Sequence, residues 1–182
     1  MTDLERILRT QRDELLETDF SSYVPRKEEQ QIELDSNLAQ IVIGVRRSGK
    51  STLCQKVLKD SGVHFAYANF DDSILASLRA EDMLTFQQVL LRIYGPFTHL
   101  FLDEVQNIDK WPLLVNRLLR QKVHLILTGS NANLLSDDLS THITGRYNEI
   151  HLYPFSFLDY CVAHRVDIEG QSIRAEGLRG HA

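Results

Sequence analysis

Short apolar runs recur along the chain and alternate with stretches in which apolar positions return every three or four residues. Residues 38–43 (LAQIVI), 64–70, 97–102, 123–127 and 149–153 each read as a short buried strand, the last closed by Pro154. Between them, residues 52–59 put Leu53, Val57 and Leu58 on one helical face, and Ser61-Gly62 supplies a stop. Residues 73–94 read as one helix with Ile74, Leu75, Leu78, Leu84, Val89, Leu90 and Ile93 available for packing, ended by Gly95-Pro96. Asp109 and Pro112 open a further helix with Leu114, Leu118 and Leu119 facing inward, and a short helix is expected near 133–139. Ahead of all this, Thr2 and Glu5 form a capping box for an amphipathic helix over 2–17, carrying Leu4, Ile7, Leu8 and Leu15. Strands alternating with helices predict an α/β three-layer sandwich, a five-stranded, mostly parallel sheet with right-handed crossovers and helices on both faces. Ligands of such sheets bind beyond the carboxyl ends of the strands.

At the first of those ends stands the chain's most specific feature. Gly44-Val45-Arg46-Arg47-Ser48-Gly49-Lys50-Ser51-Thr52 contains the pattern G-x-x-x-x-G-K-[ST], preceded by a strand and followed by a helix. The residue types suit a loop that cradles phosphates. Glycine permits tight turns that present successive N–H groups to an anion. Lys50 supplies a cation for the terminal phosphates, the Ser51 hydroxyl is a ligand for Mg²⁺, and the following helix adds its positive end. Residues 44–52 are therefore the expected nucleotide-binding residues, although Arg46 and Arg47 read more simply as solvated side chains. At the third strand end, His99-Leu100-Phe101-Leu102-Asp103-Glu104 places two acids. Asp103 is the expected second ligand for Mg²⁺, and Glu104 is placed to orient or deprotonate an attacking water. No Asn-Lys-x-Asp element of the kind that reads guanine is present, so ATP is the expected nucleotide.

Composition narrows the classes without adding chemistry. A hydrophobic share of 43% and a charged share of 25% are those of an ordinary globular chain. The net charge of −5 gives no global basic footprint for nucleic acid, leaving Arg117, Arg120 and Lys122 as the one compact basic cluster to test. No run is long and apolar enough for a membrane span, and the N-terminus is no secretory signal, so a cytoplasmic location is expected. Cys54 and Cys161 lack metal-ligand spacing and read as reduced structural thiols, His99 reads as structural, and Trp111 as packing. Asp71 and Asp72 are either a second acidic element or, for Asp72, a helix cap.

The glycine loop, the Asp-Glu strand, the polar turn after the fourth strand and Gly-Arg-aromatic before the fifth together resemble the AAA+ superfamily of P-loop ATPases. More narrowly, GVRRSGKST, NFDD, FLDEVQN, LTGSNANLL and GRYNEIHLYPFSF resemble a group of prokaryotic AAA-type ATP-binding proteins of mostly unknown role. The likeness covers roughly residues 34–160. It implies a P-loop NTPase fold and roles for two further places. In Thr128-Gly129-Ser130-Asn131, Ser130 and Asn131 stand where the superfamily senses the γ-phosphate, or else form a plain turn with helix-capping chemistry. Arg146 stands where an arginine finger often reaches a neighbouring subunit's site in a homo-oligomer, or else pairs with a surface acid.

The resemblance also marks a departure. AAA+ modules carry a helical lid after the fifth strand, and residues 165–182 are too poor in aliphatics to build one. The expected organisation is an N-terminal helix and connector over 1–33, a P-loop ATPase core over 34–160 and a short, weakly ordered tail over 161–182, the lid lacking or incomplete. Nucleotide binding is expected to persist in weakened form, with slow hydrolysis. Three functions compete: an ATPase driving conformational change in a larger assembly with an unknown protein partner, an ATP-dependent switch or scaffold, and a small-molecule kinase. Glu104 favours the first, the absent lid favours the second, and the acid pair speaks against the third, because transfer to an organic hydroxyl needs no water-activating acid.

Overall fold

The computed structural model describes residues 2–130, 143 and 145–163. Helix α1 (Asp3–Glu17) starts at Thr2, whose Oγ1 accepts the Glu5 N–H at 3.3 Å. A 3-10 helix over Lys27–Gln31 interrupts the stretch read as a connector. Then follow β1 (Ala39–Ile43), α2 (Lys50–Ser61), β2 (Phe65–Asn69), α3 (Ser73–Ala76), α4 (Met83–Tyr94), β3 (His99–Asp103), α5 (Trp111–Arg120), β4 (His124–Gly129), β5 (Tyr147–His151) and α6 (Phe157–Ala163). The expected short helix near 133–139 and the expected tail from residue 164 onward fall outside the described residues, whereas residues 161–163, read as the start of that tail, end helix α6.

The five strands form one sheet in the order β2-β3-β4-β1-β5, and every pairing is parallel. The period of two along each strand sorts the core onto two faces. Ile41, Ile43, Leu100, Leu102, Leu125 and Leu127 face α3, α4 and α5, whereas Val42, Phe101, Ile126 and Ile150 face Leu53, Cys54 and Leu58 of α2. Helix α1 contributes to both faces, Leu8 to the first and Leu15 to the second. It sits against edge strand β2, where the Gln11 amide donates to the Asn69 carbonyl and accepts the Asn69 N–H, both at 2.9 Å. A side chain thus completes the hydrogen bonds of an edge strand.

Two expectations are corrected here. The helix over 73–94 is broken. Asp72 caps α3 by accepting from Ile74 and Leu75, and Ser77 Oγ donates to the Ile74 carbonyl. Arg79 is extended, and Asp82 Oδ2 accepts its N–H at 2.9 Å as a second start forms. Local caps outcompete the apolar period, and Leu84 is left 53% exposed. The fifth strand runs over Tyr147–His151 instead of 149–153, because its pairing with β1 begins at Ala39↔Tyr147.

His99 and His124 stack across β3 and β4 with ring centroids 4.8 Å apart. His99 Nε2 faces the Leu34 carbonyl at 3.1 Å, and its Nδ1 lies 2.8 Å from Thr98 Oγ1. Burial, followed by the neighbouring His124, holds the His99 pKa below its ordinary 6.5. The folded state therefore binds fewer protons than the unfolded chain below that pH, so this contribution to stability is complete above 6.5 and is lost below it, as pH falls toward and through the lower folded value. Melting temperature measured from about pH 7.5 down to 5.5 is expected to fall with pH, and His99→Gln is expected to flatten that fall.

Candidate functional site

The loop after β1 is shaped by packing on one side and by backbone conformation on the other. A Cβ on Gly44 would meet the Leu152 carbonyl oxygen at 2.2 Å and Ser48 Oγ at 2.9 Å. Gly44 is thus required by the close approach of the chain leaving β5, where Leu152 N–H donates to the Ile43 carbonyl at 2.7 Å. Gly49 has open space around it but φ +92, a left-handed conformation that glycine adopts freely. It forms the N-cap of α2, so Lys50, Ser51 and Thr52 lie on the first turn with its outward N–H groups. Val45, Arg46 and Arg47 are exposed, and Arg47 takes φ 65. Ser48 is buried, and its Oγ has no hydrogen-bond partner among the described residues.

Lys50 is 4% exposed, and its ammonium donates to the carbonyls of Gly44 and Val45 at 3.3 Å each. Glu104 Oε1 lies 3.5 Å from the same nitrogen. The acids arrive from β3, which is separated from β1 by β4. Asp103 is 2% exposed and accepts hydrogen bonds from Ser51 Oγ at 2.8 Å, Tyr67 Oη at 3.3 Å and Thr128 Oγ1. Burial is the main cause pushing its pKa up, and the Thr128 and Ser51 hydroxyls work in the opposite direction. Glu104 turns away from the strand at φ 52, and its N–H donates to Thr128 Oγ1 at 3.0 Å. Thr128 stands on the intervening strand and links both acids.

Ser51 and Asp103 fit a hard cation. One hydroxyl and one carboxylate meet at hydrogen-bond distance, and a buried charge of this kind is stabilised by a divalent ion. Among the described residues no group of three or more His, Cys, Asp or Glu side chains could hold a metal. The remaining ligands would come from phosphate oxygens and water, as Mg²⁺ prefers.

The other expected residues divide. Ser130 follows β4 at the same end of the sheet, half-buried, and Asn131 lies outside the described residues. Arg146 is exposed at the opposite end, immediately before β5, with its carbonyl accepting from Ala39 N–H at 2.9 Å. Six strand positions separate its level in the sheet from Gly44, about 20 Å, so it does not join the site of its own chain. Arg117, Arg120 and Lys122 also belong to that far end, around the last turn of α5 before β4.

A cavity of about 210 Å³ adjoins Ser48, Gly49 and Thr52, walled by Phe20, Tyr23, Leu152 and Phe155 among others. Tyr23 Oη donates to Glu29 Oε1 at 2.8 Å, and the Arg26 guanidinium lies 4.6 Å from the Phe155 ring centre while donating to the Tyr153 carbonyl at 2.8 Å. These residues were not singled out in the sequence, nor were Tyr67, Gln106 or the side chain of Thr128. Phe20, Tyr23 and Val24 inside an otherwise polar connector are the one local signal of a buried wall.

The chain is similar to proteins of two distant prokaryotes. It is 33% identical over 147 residues to an uncharacterized protein of Haemophilus influenzae, covering 76% of this chain and 37% of that one. It is 31% identical over 131 residues to the uncharacterized protein MJ1544 of Methanocaldococcus jannaschii, covering 71% of this chain and 30% of its relative. The chain thus spans about a third of the length of these curated relatives. A crystal structure of a DNA replication initiation factor shares the fold, with a TM-score of 0.51 at 18% identity over 79% of this chain and 48% of that one. Residues 36–161 match the AAA domain, and the chain belongs to this family of P-loop, ATPase-type nucleotide-binding domains.

Proposed function

We propose that the chain binds ATP with Mg²⁺ and hydrolyses it, using turnover to change conformation within a larger assembly. The observation that carries this reading is the convergence of Lys50, Ser51, Asp103 and Glu104 at one end of the sheet, with Ser51 Oγ 2.8 Å from Asp103 and Glu104 3.5 Å from Lys50. Loop N–H groups and the start of α2 would bind the phosphates, and Lys50 would exchange its two loop carbonyls for phosphate oxygens. Ser51 and Asp103 would hold the ion, which would offset the negative charge of the phosphates. Glu104 accepts the proton of the attacking water as its oxygen bonds to the γ-phosphorus and ADP departs. The cavity beside Tyr23 and Phe155 suits a flat, largely apolar base. Ser130 borders the γ-phosphate side, with Asn131 next in the chain, and Arg146 can act only on the site of a neighbouring copy.

Three substitutions test this reading through different observables. Lys50→Ala is expected to weaken ATP binding, measured by calorimetry, about tenfold to a hundredfold, the worth of one charge-assisted contact. Unchanged affinity contradicts the assignment. Glu104→Gln is expected to keep binding and lower turnover at least about a hundredfold, whereas a switch governed by occupancy alone would hardly respond. Asp103→Asn removes a buried charge whose ionised form is disfavoured in the folded state, so at neutral pH it is expected to melt at the same or a higher temperature. The same variant is expected to lose the strengthening of ATP binding by Mg²⁺, measured by titration with and without the ion.

A further inference from the structure

Glu104 is held at three points. Its N–H donates to Thr128, Oε1 faces Lys50 at 3.5 Å, and Oε2 accepts from Gln106 Nε2 at 2.6 Å. Gln106 lies in the 3-10 turn Val105–Asn107, directly after the acid pair. Its other amide atom, Oε1, is buried and has no hydrogen-bond partner among the described residues. As a purely structural side chain this is a poor choice, because a buried unpaired acceptor costs about 1–3 kcal/mol that an apolar side chain of similar size would not incur. Nor can the amide be turned over, since its oxygen would then face the carboxylate, acceptor against acceptor. Among the described residues its one hydrogen bond is a short bond to a charged group, and it is directed at Glu104.

The two partners of the carboxylate differ in permanence. Lys50 is the group that turns to phosphate, and when it does so Oε1 loses its counter-charge. Gln106 then remains as the side chain holding the carboxylate. We propose that Gln106 is a positioning residue that keeps Glu104 aimed at the attacking water during hydrolysis, an inference that rests on the ATPase reading above.

The test uses Gln106→Met, which matches glutamine in length and lacks both amide atoms. Turnover is expected to fall at least about tenfold, in line with loss of alignment at a catalytic base. Affinity for a non-hydrolysable ATP analogue is expected to stay within about twofold, and the melting temperature to stay equal or rise, since a buried unpaired oxygen is removed. Adding Glu104→Gln to Gln106→Met is expected to lower turnover no further than Glu104→Gln alone, because the two act as one unit. In ¹⁵N spectra of the otherwise intact protein, the Gln106 side-chain amide resonance is expected to move on Glu104→Ala. Full turnover in Gln106→Met, a loss matched by weaker binding or a lower melting temperature, or an unmoved amide resonance overturns the inference while leaving the ATPase reading intact. A wild-type protein that binds ATP without turning it over overturns both.

Discussion

A buried carboxylate ties together three strands and the phosphate loop. Asp103 is almost wholly removed from water, yet three hydroxyls converge on it from different elements: Ser51 from the first turn of α2, Thr128 from β4 and Tyr67 from β2. Each donor offsets part of the cost of burying the charge, and burial still prevails, so the group remains more easily protonated than a free carboxyl. A site that concentrates an incompletely compensated negative charge beside a hydroxyl at the N-terminus of a helix is stabilised by a cation. The same contacts set the spacing between the loop and the acids, because β4 is inserted between β1 and β3 and Thr128 bridges the gap.

Polarity separates the two ends of the sheet. All five strands run in one direction, so every loop that leaves a carboxyl end reaches the same face: the glycine loop after β1, Glu104 after β3 and Ser130 after β4. Residues that precede strands fall at the other face, which is where Arg146 and the basic turn after α5 are found. Any role for Arg146 in hydrolysis therefore requires a second copy of the chain. The connector before β1 belongs instead to the active end, because Tyr23 and Arg26 reach the chain that leaves β5 and enclose the cavity beside the loop.

Much of this was legible in the sequence, and the reasons differ by residue. Gly44, Gly49, Lys50 and Ser51 have fixed spacing within one short loop, and Asp103-Glu104 terminates an apolar run, so both motifs survive without knowledge of the fold. The strand–helix alternation sufficed for the layers and the parallel sheet. Contacts between distant segments left no such trace. Thr128 lies 25 positions from Asp103, and Gln11 satisfies the backbone of Asn69 from 58 positions away. The break in the helix over 73–94 depended on Asp82 accepting from Arg79, a local contact that the apolar period conceals. Gln106 stood in plain view beside the acid pair, but its significance comes from an unpaired oxygen that only the packed structure reveals.

The most direct test of the central claim is a crystal structure with Mg²⁺ and a non-hydrolysable ATP analogue. The account predicts phosphates on residues 44–52, the ion between Ser51 and Asp103, and the base against Tyr23 and Phe155. It also predicts that the Lys50 ammonium leaves the carbonyls of Gly44 and Val45, where it now rests at 3.3 Å from each. A nucleotide bound elsewhere, or one bound here with the Lys50 contacts unchanged and the ion away from Asp103, would contradict it.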